Sequence, residues 1–176
     1  DGAFPNDKLG DSAFLVLPAG LKGPAFLATD NFSVLKLYNN SDVYAIFVGH
    51  VGDSRTYLLR NGQLRQLTQD HSLVFSLFKS GQITEDEIYS HPQKNEIYRS
   101  LGEREDVKID TQTLDIGAGD RLLLCSDGLW EMVRNDQIAA ILGSAATPQA
   151  ACDRLVATAF DNGGEDNISA LAVYLE

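Results

Sequence analysis

Two aspartates in the C-terminal half of the sequence each lie at one end of an apolar run. Asp127 follows the run LLLCS, and Asp166 comes shortly before the run ISALAVYL, about 40 residues further along. Each run is typical of a buried strand. A carboxylate held at the end of such a strand loses hydration, which costs free energy unless a cation or a hydrogen-bond donor pairs with it. Folding that brings the two carboxylates together would therefore create a site for a hard divalent cation such as Mg²⁺ or Mn²⁺.

The segments that must position these carboxylates are short strands joined by turns, with helices inserted between them. The sequence predicts strands over residues 13–17, 25–29, 33–38, 43–48, 56–60, 63–67, 107–115, 121–126 and 168–175. It predicts helices that begin near residues 73 and 84, and amphipathic helices over residues 135–142 and 148–160. Asn61-Gly62 between two alternating runs indicates a hairpin with a type I′ turn. Strands in meander order with inserted helices favour an α+β layered sandwich over an alternating parallel sheet.

Length and composition are those of one ordinary globular domain. The 176 residues are 44% hydrophobic and 22% charged, and no linker or repeat divides them, so we predict a single domain over residues 1–176. There is no run of 18 apolar residues and no segment with the pattern of a signal peptide. The two cysteines suit a reducing compartment, and Cys125 is expected to be an inert core residue. We therefore expect a cytoplasmic protein.

The net charge is strongly negative, because 25 acidic residues stand against 14 basic ones and give −11. A surface of this sign argues against nonspecific binding to nucleic acids or to anionic membranes. It fits a protein that gathers carboxylates around cations, although solubility alone would also account for it.

Seven short blocks follow one another through most of the chain. They begin at residues 51, 66, 81, 91, 99, 126 and 165 and have the sequences VGDSRTY, QLTQDHSLV, GQIT, HPQKN, RSLG, SDGLW and EDNIS. One block alone would be weak evidence, but an ordered series of this length is highly specific. Together the blocks resemble the PPM family of metal-dependent Ser/Thr protein phosphatases, also called type 2C, and its bacterial branch in particular. The similarity covers about residues 43–176.

The resemblance implies both a fold and a reaction. The fold would be an αββα sandwich of two antiparallel sheets flanked by helices. The reaction would be hydrolysis of phosphoserine and phosphothreonine by a metal-activated water at a binuclear Mn²⁺ or Mg²⁺ centre, with a possible third ion. Paired cations suit this chemistry because they lower the pKa of water and neutralise charge on the phosphoryl oxygens. Phosphorylated proteins would be the substrates, with a Ser/Thr kinase or its targets as possible partners.

The resemblance also assigns candidate metal ligands in the C-terminal two thirds of the chain. Asp127 and Asp166 are similar to two of the family's core ligands, and Asp53 resembles the ligand that many members supply to a weaker third metal. Each aspartate also has an alternative, purely structural role that involves no metal. Asp127 would be a strand-end turn residue, Asp166 would form an Asx turn, and Asp53 would lie in a simple bulge.

In the N-terminal part, the resemblance places further ligands with less support. Asp30 would be the bridging carboxylate, and Asn31, where the family has glycine, would offer its backbone carbonyl. Asp11, or alternatively Asp7, would stand for the family's early acidic pair. Turn or solvated-loop roles are the alternatives for these residues. Lys8 is the one base near the position of the family's early phosphate-binding arginine, so it is a weak candidate for substrate binding.

Three departures from the family separate this sequence from a complete domain. Only about 20 residues lie between Asp30 and Asp53, too few for the two long helices and the strand that the family places there. No arginine precedes Arg55, and the histidine-containing tail that the family has after its first Asp-Gly pair is also absent. The resemblance therefore implies a shortened sandwich in which some N-terminal helices are missing.

Other motif residues have expected roles outside the metal centre. His50 is predicted to be a strand-end histidine with a hydrogen-bonded ring, and His71 and His91 are predicted to be structural. Residues 72–100 resemble the family's flap, a segment beside the cleft suited to substrate choice and gating. A simple helical cover over one sheet is the alternative for that segment.

Three functions are compatible with these observations to different degrees. The first is an active metal-dependent Ser/Thr phosphatase, favoured by the retained aspartates. The second is a catalytically impaired phosphatase-like domain that binds a phosphoprotein or partner, favoured by the missing helices and arginine. The third, a binding module unrelated to phosphate, leaves the ordered blocks unexplained. We therefore predict a metal-binding phosphatase domain.

Overall fold

Nine strands and five helices make up the part of the chain that the structure describes. The computed structural model describes residues 12–16, 25–28, 33–40, 43–102 and 106–175, with side chains from residue 45 onward. The strands are β1 (Ser12–Val16), β2 (Ala25–Ala28), β3 (Ser33–Asn40), β4 (Val43–His50), β5 (Arg55–Arg60), β6 (Gln63–Gln66), β7 (Asp110–Ile116), β8 (Arg121–Cys125) and β9 (Ala170–Tyr174). The helices are α1 (Leu73–Lys79), α2 (Glu85–Ser90), α3 (Asp127–Trp130), α4 (Asn135–Ser144) and α5 (Pro148–Asp161).

The strands form two sheets. One has five strands in the order β1-β9-β8-β5-β6, and the other has four in the order β2-β3-β4-β7. Pairing between these strands is antiparallel except for β1, which runs parallel to β9. The predicted α+β sandwich of two sheets is thus confirmed, with one parallel pair that the sequence did not indicate.

The inner strands β5, β8 and β9 of the five-stranded sheet are buried on both faces, which explains the continuous apolar runs on either side of the candidate metal ligands. In β8, Leu122 and Leu124 pack into the core between the two sheets. The alternate residues Leu123 and Cys125 pack against α4 and α5 on the other face. A strand covered on both sides has no need for polar residues at every second position. Cys125 is fully buried, as expected for an inert core residue.

The helix layer covers one outer face of the sandwich. Helices α4 and α5 pack on the five-stranded sheet, and α5 also contacts β1. Among the described residues, no helix covers the outer face of the four-stranded sheet, where Phe47 of β4 is 38% exposed. This arrangement agrees with the prediction that some helices of the αββα sandwich are missing. No helix in the described ranges is both long enough and apolar enough to cross a bilayer.

Local signals in the sequence set most of the element boundaries. Asn61 and Gly62 have φ values of 52° and 76°, as the predicted type I′ hairpin between β5 and β6 requires. The Ser72 hydroxyl accepts from the amide of Phe75 at the start of α1, and the Thr147 hydroxyl accepts from that of Ala150 at the start of α5. The prediction for β7 was wrong at its start, since the strand begins at residue 110 rather than 107.

Candidate metal centre

Strand register brings three candidate ligands to one end of the five-stranded sheet. Arg55 of β5 pairs with Cys125 of β8, which in turn pairs with Ala170 of β9. Asp53 lies two residues before Arg55, Asp127 lies two residues after Cys125, and Asp166 lies four residues before Ala170. Because the three strands are antiparallel neighbours, the loop before β5, the loop after β8 and the loop before β9 emerge at the same edge. Three aspartates distant in sequence are therefore neighbours in the fold.

Close backbone packing joins the loops of Asp127 and Asp166. The Ser126 hydroxyl donates to the Asn167 carbonyl at 2.9 Å and accepts from the Ser169 amide at 3.0 Å. A Cβ atom added at Gly128 would lie only 2.5 Å from the Asn167 carbonyl oxygen. The glycine after Asp127 is thus required by contact with the second loop, and any larger residue would push the two loops apart.

All three aspartates line one cleft. The cleft has a volume of about 270 Å³, and its lining also includes Lys94, Asn95, Ile97, Gly128, Glu131 and Glu165. Asp53 and Asp127 are partly buried, whereas Asp166 is exposed at the rim. Two larger clefts, of about 400 and 410 Å³, lie around His50, His71 and Asp110, and at most two described carboxylates, those of Asp70 and Asp110, line either of them. The chemistry of its lining, rather than its size, distinguishes the 270 Å³ cleft.

Burial and neighbouring negative charge raise the pKa of two carboxylates in this cleft, those of Asp53 and Asp127. Burial, together with the negative charge of Asp127, raises the pKa of Asp53 from 3.8 to about 6. Burial also raises the pKa of Asp127, and the charge of Asp166 adds to that shift. Neighbouring carboxylates that are partly dehydrated and mutually repelling are stabilised when a cation binds between them.

The described residues fit a hard divalent cation as part of its donor set. Carboxylate oxygens on rigid loops are the ligands that Mg²⁺ and Mn²⁺ prefer. Within the described ranges, however, no three His, Cys, Asp or Glu side chains converge closely enough to enclose an ion by themselves. The three aspartates therefore remain candidate ligands, and a complete site would need further donors.

In the metal-free protein, stability is expected to fall as the pH rises from about 4 to about 6. The Asp53 carboxyl group has an ordinary pKa of 3.8 in the unfolded chain and a pKa of about 6 in the folded one. Between these values the folded state holds more protons, so the free energy of unfolding decreases with pH by about 1–3 kcal/mol. Asp53→Asn should remove this decrease and raise the melting temperature at pH 7, as measured by thermal unfolding in EDTA.

A matched control for this prediction is Asp115→Asn. Asp115 is an exposed carboxylate on β7, paired with Ala45 at the end of the four-stranded sheet away from Asp53. This variant should keep the wild-type pH dependence. If Asp53→Asn kept it as well, the raised pKa assigned to Asp53 from burial and from the charge of Asp127 would be refuted.

Lys94 of the flap-like segment forms ion pairs next to two of the aspartates, Asp127 and Asp166. The Lys94 ammonium lies 2.6 Å from a carboxylate oxygen of Glu131, at the end of α3, and 3.6 Å from one of Glu165. The hydrogen bond to Glu131 raises the pKa of Lys94, which keeps the ammonium charged. Sequence reasoning placed Lys94 only within a motif block and missed its position in the cleft. The one sequence feature that hinted at the position of Lys94 was Glu165, which stands beside Asp166 in the EDNIS block.

The remaining predicted site residues lie outside the described residues. They are Asp30, Asn31, Asp11 and Lys8. Their assignment as metal ligands or, for Lys8, as a substrate contact stays a prediction.

His50 and His71, which were predicted to have roles outside a metal centre, do not line the cleft of the three aspartates. His50 ends β4, and its ring Nε2 is 3.1 Å from the Gln69 carbonyl oxygen, as predicted for a strand-end histidine with a hydrogen-bonded ring. His71 accepts from the amide of Gly52 through Nδ1 at 3.0 Å. This bond helps to hold the loop that carries Asp53.

Comparison with known proteins matches the chain to two family models and to several phosphatases. Residues 61–176 match the family model described as Stage II sporulation protein E (SpoIIE), and residues 2–53 match a second model, Transglycosylase SLT domain. The serine/threonine phosphatase stp of Listeria monocytogenes is 44% identical over 128 residues, which are 73% of this chain and 51% of that protein.

Solved structures give the same result. The S. agalactiae serine/threonine phosphatase matches with a TM-score of 0.71 and 41% identity, covering 82% of this chain and 59% of that one. The catalytic domain of the serine/threonine protein phosphatase PstP, in complex with two manganese ions, matches with a TM-score of 0.66 and 31% identity. That match covers 80% of this chain and 56% of the PstP chain.

The described architecture, two sheets with carboxylates at one edge, is that of a metal-dependent phosphatase sandwich. The chain belongs to the PPM family of type 2C phosphatases. It spans about half the length of the curated relatives that it matches.

Proposed function

We propose that this chain is a metal-dependent phosphatase domain that hydrolyses phosphoserine and phosphothreonine in proteins. One observation carries the proposal. Asp53, Asp127 and Asp166 come from three separate loops, and strand register and close packing hold them around one cleft. A fold that keeps two partly buried carboxylates and a third, exposed one together loses stability unless a cation offsets their repulsion, so the arrangement is best explained by metal binding.

The residues of the cleft would have different roles in binding the metal ions and the substrate. Asp127 and Asp166 would hold the main Mn²⁺ or Mg²⁺ ions, and Asp53 would hold a weaker one. We propose that Asp30, Asn31 and Asp11 complete the donor set. When bound, the cations supply an activated water and neutralise charge on the phosphoryl oxygens. Pairing with Glu131 keeps the Lys94 ammonium at the rim of the cleft.

That ammonium is suited to attract a phosphate dianion where the family's early arginine is absent. Among the described residues that line the cleft, Lys94 is the one that carries a positive charge. Lys8 is retained as a weaker candidate for the same role.

The same proposal includes the substrates, the partners and the cellular location of the protein. Phosphorylated proteins would be the substrates, and a Ser/Thr kinase or the targets of that kinase would be the partners. Cys125 and Cys152 are both buried in the core, and core cysteines suit a reducing, cytoplasmic location. We also propose that residues 1–176 form one domain, because β1 completes the sheet that carries the aspartates.

The test is to measure metal binding and turnover on the same protein. We expect p-nitrophenyl phosphate and a phosphothreonine peptide to be hydrolysed with Mn²⁺ and not in EDTA, and calorimetry to detect Mn²⁺ binding. Ca²⁺ serves as the control cation, because its larger radius and flexible coordination suit phosphoryl transfer poorly. Mn²⁺ binding without turnover would favour the second function, a phosphoprotein-binding domain. Absence of Mn²⁺ binding would contradict both.

A further inference from the structure

The tryptophan of the SDGLW block connects two of the loops that carry candidate metal ligands. Trp130 is the single tryptophan of the chain and lies at the end of α3, the short helix that begins at Asp127. Its indole Nε1 donates to the backbone carbonyl of Asp53 at 3.0 Å, across 77 residues of sequence. The side chain is only 4% exposed, so water does not compete for this hydrogen bond.

A buried ion pair holds the indole in place from one side. The Arg55 guanidinium lies 3.5 Å from the centroid of the Trp130 ring. The same guanidinium makes hydrogen bonds of 2.7 to 3.1 Å to both carboxylate oxygens of Asp70. The side chains of Arg55 and Asp70 are 3% and 0% exposed. A planar guanidinium fixed by a two-oxygen partner is a rigid base for a stacked indole.

The flap-like segment holds the indole from another side. The ring of Tyr89 in α2 meets Trp130 edge-on, with centroids 6.0 Å apart. The Arg134 guanidinium in turn lies 3.3 Å from the centroid of the Tyr89 ring. The indole therefore has little freedom to rotate away from Asp53.

We propose that Trp130 is a positioning residue for Asp53, with the Arg55–Asp70 pair as its support. The hydrogen bond to the Asp53 carbonyl fixes the peptide that follows the Asp53 side chain, and so fixes the direction in which the carboxylate points. Because Trp130 also belongs to the helix that starts at Asp127, one ring sets the spacing of the two carboxylates. The inference rests on the proposed function, since it concerns the metal that Asp53 would bind.

Trp130→Phe tests the proposal, because phenylalanine keeps a ring over Arg55 but has no N–H to donate. We expect Mn²⁺ affinity at the weaker site to fall by about threefold to tenfold in calorimetry, the effect of losing one buried hydrogen bond. A 3-benzothienyl-alanine at position 130 keeps the full shape of the indole and replaces its N–H by sulfur. It should give the same loss of affinity and also covers the case in which the phenylalanine variant folds poorly.

Tyr174→Phe is the matched control. Tyr174 is also buried, stacks under an arginine, with Arg121 at 4.2 Å from its ring centroid, and donates to the carbonyl of Leu142 at 3.1 Å. It lies at the end of β9 away from the cleft. The variant should lower the melting temperature to a similar extent and leave Mn²⁺ affinity unchanged.

The outcomes separate this inference from the proposed function. If Asp53→Ala weakens Mn²⁺ binding but neither change at position 130 does, the positioning role is refuted and the metal site stands. If Asp53→Ala leaves Mn²⁺ binding intact, the assignment of Asp53 fails and the inference fails with it. A loss of affinity in Tyr174→Phe equal to that of Trp130→Phe would show a general loosening of the fold and would also refute the positioning role.

Discussion

Replacing Asp127 by alanine is expected to lower Mn²⁺-dependent hydrolysis of p-nitrophenyl phosphate by about 1000-fold in kcat/KM. A bound metal contributes several kcal/mol to phosphoryl transfer, and about 4 kcal/mol corresponds to a thousandfold change in rate. The metal-free fold should not suffer equally, because burial and the charge of Asp166 already raise the pKa of Asp127. Removing the carboxylate relieves that repulsion. We therefore expect loss of turnover and of Mn²⁺ binding with little change in the melting temperature measured in EDTA.

The control for this prediction is Asp115→Ala, which removes a carboxylate from the other end of the sandwich. It should leave both kcat/KM and Mn²⁺ affinity at the wild-type level. Asp127→Asn adds a finer comparison, because the amide oxygen can still accept from the Gly128 amide, 2.8 Å away in the wild type, but carries no charge. If Asp127→Ala kept more than a tenth of the wild-type rate, Asp127 would not be a metal ligand.

The position of the C-terminal candidate ligands could be predicted because a strand that is buried on both faces has a recognisable, continuously apolar sequence. Strands β8 and β9 are apolar at nearly every position, and the first polar residues beyond them must lie at the sheet edge. Asp127, two residues after β8, and Asp166, four residues before β9, lie in the polar segments that begin there. The glycine after Asp127 marks the close contact with the second loop. The hairpin at Asn61 was predictable for a similar reason, since its φ of 52° is accessible to few residues.

The limits of prediction appear where a structure depends on a partner that is distant in sequence. Alternation of apolar residues predicted that β7 begins at residue 107, but Ile109 is 56% exposed. The strand begins only at Asp110, because its partner β4 ends at His50, directly opposite. A pattern along one strand records which residues could pair and carries no information on where the partner stops.

The side-chain contacts that support the site could not be predicted from the sequence for the same reason. The contact from Trp130 to Asp53 spans 77 residues, and the contact from Lys94 to Glu131 spans 37. Neither has a local signature, because a tryptophan in an apolar block and a lysine in a polar segment are both ordinary. The assignment of Asp30, Asn31 and Asp11, which lie outside the described residues, rests on the family resemblance alone and stays a prediction.

Replacing Asp70 by alanine is expected to destabilise the fold by about 3–5 kcal/mol in urea or thermal unfolding. The change would leave the Arg55 guanidinium charged, almost fully buried and without its carboxylate partner. Breaking a buried pair by removing one member carries this cost, because the remaining charge has lost its hydration and gained nothing in return. The Gln66 side-chain amide, which donates to Asp70 at 2.9 Å, would lose its acceptor as well. Replacing both members, in Arg55→Met with Asp70→Leu, should cost much less than Asp70→Ala alone.

Asp110→Ala is the matched control, because Asp110 also pairs with an arginine at close range. Its carboxylate lies 2.8 Å from the Arg99 guanidinium, but its side chain is 44% exposed. An exposed pair contributes about 1 kcal/mol or less, and 1 M NaCl should screen most of that contribution. The cost of Asp70→Ala should persist at the same salt concentration, since solvent ions do not reach a buried pair. A cost below about 1 kcal/mol for Asp70→Ala would mean that water readily solvates Arg55. The inference that the Arg55–Asp70 pair is a rigid support for Trp130 would then fail.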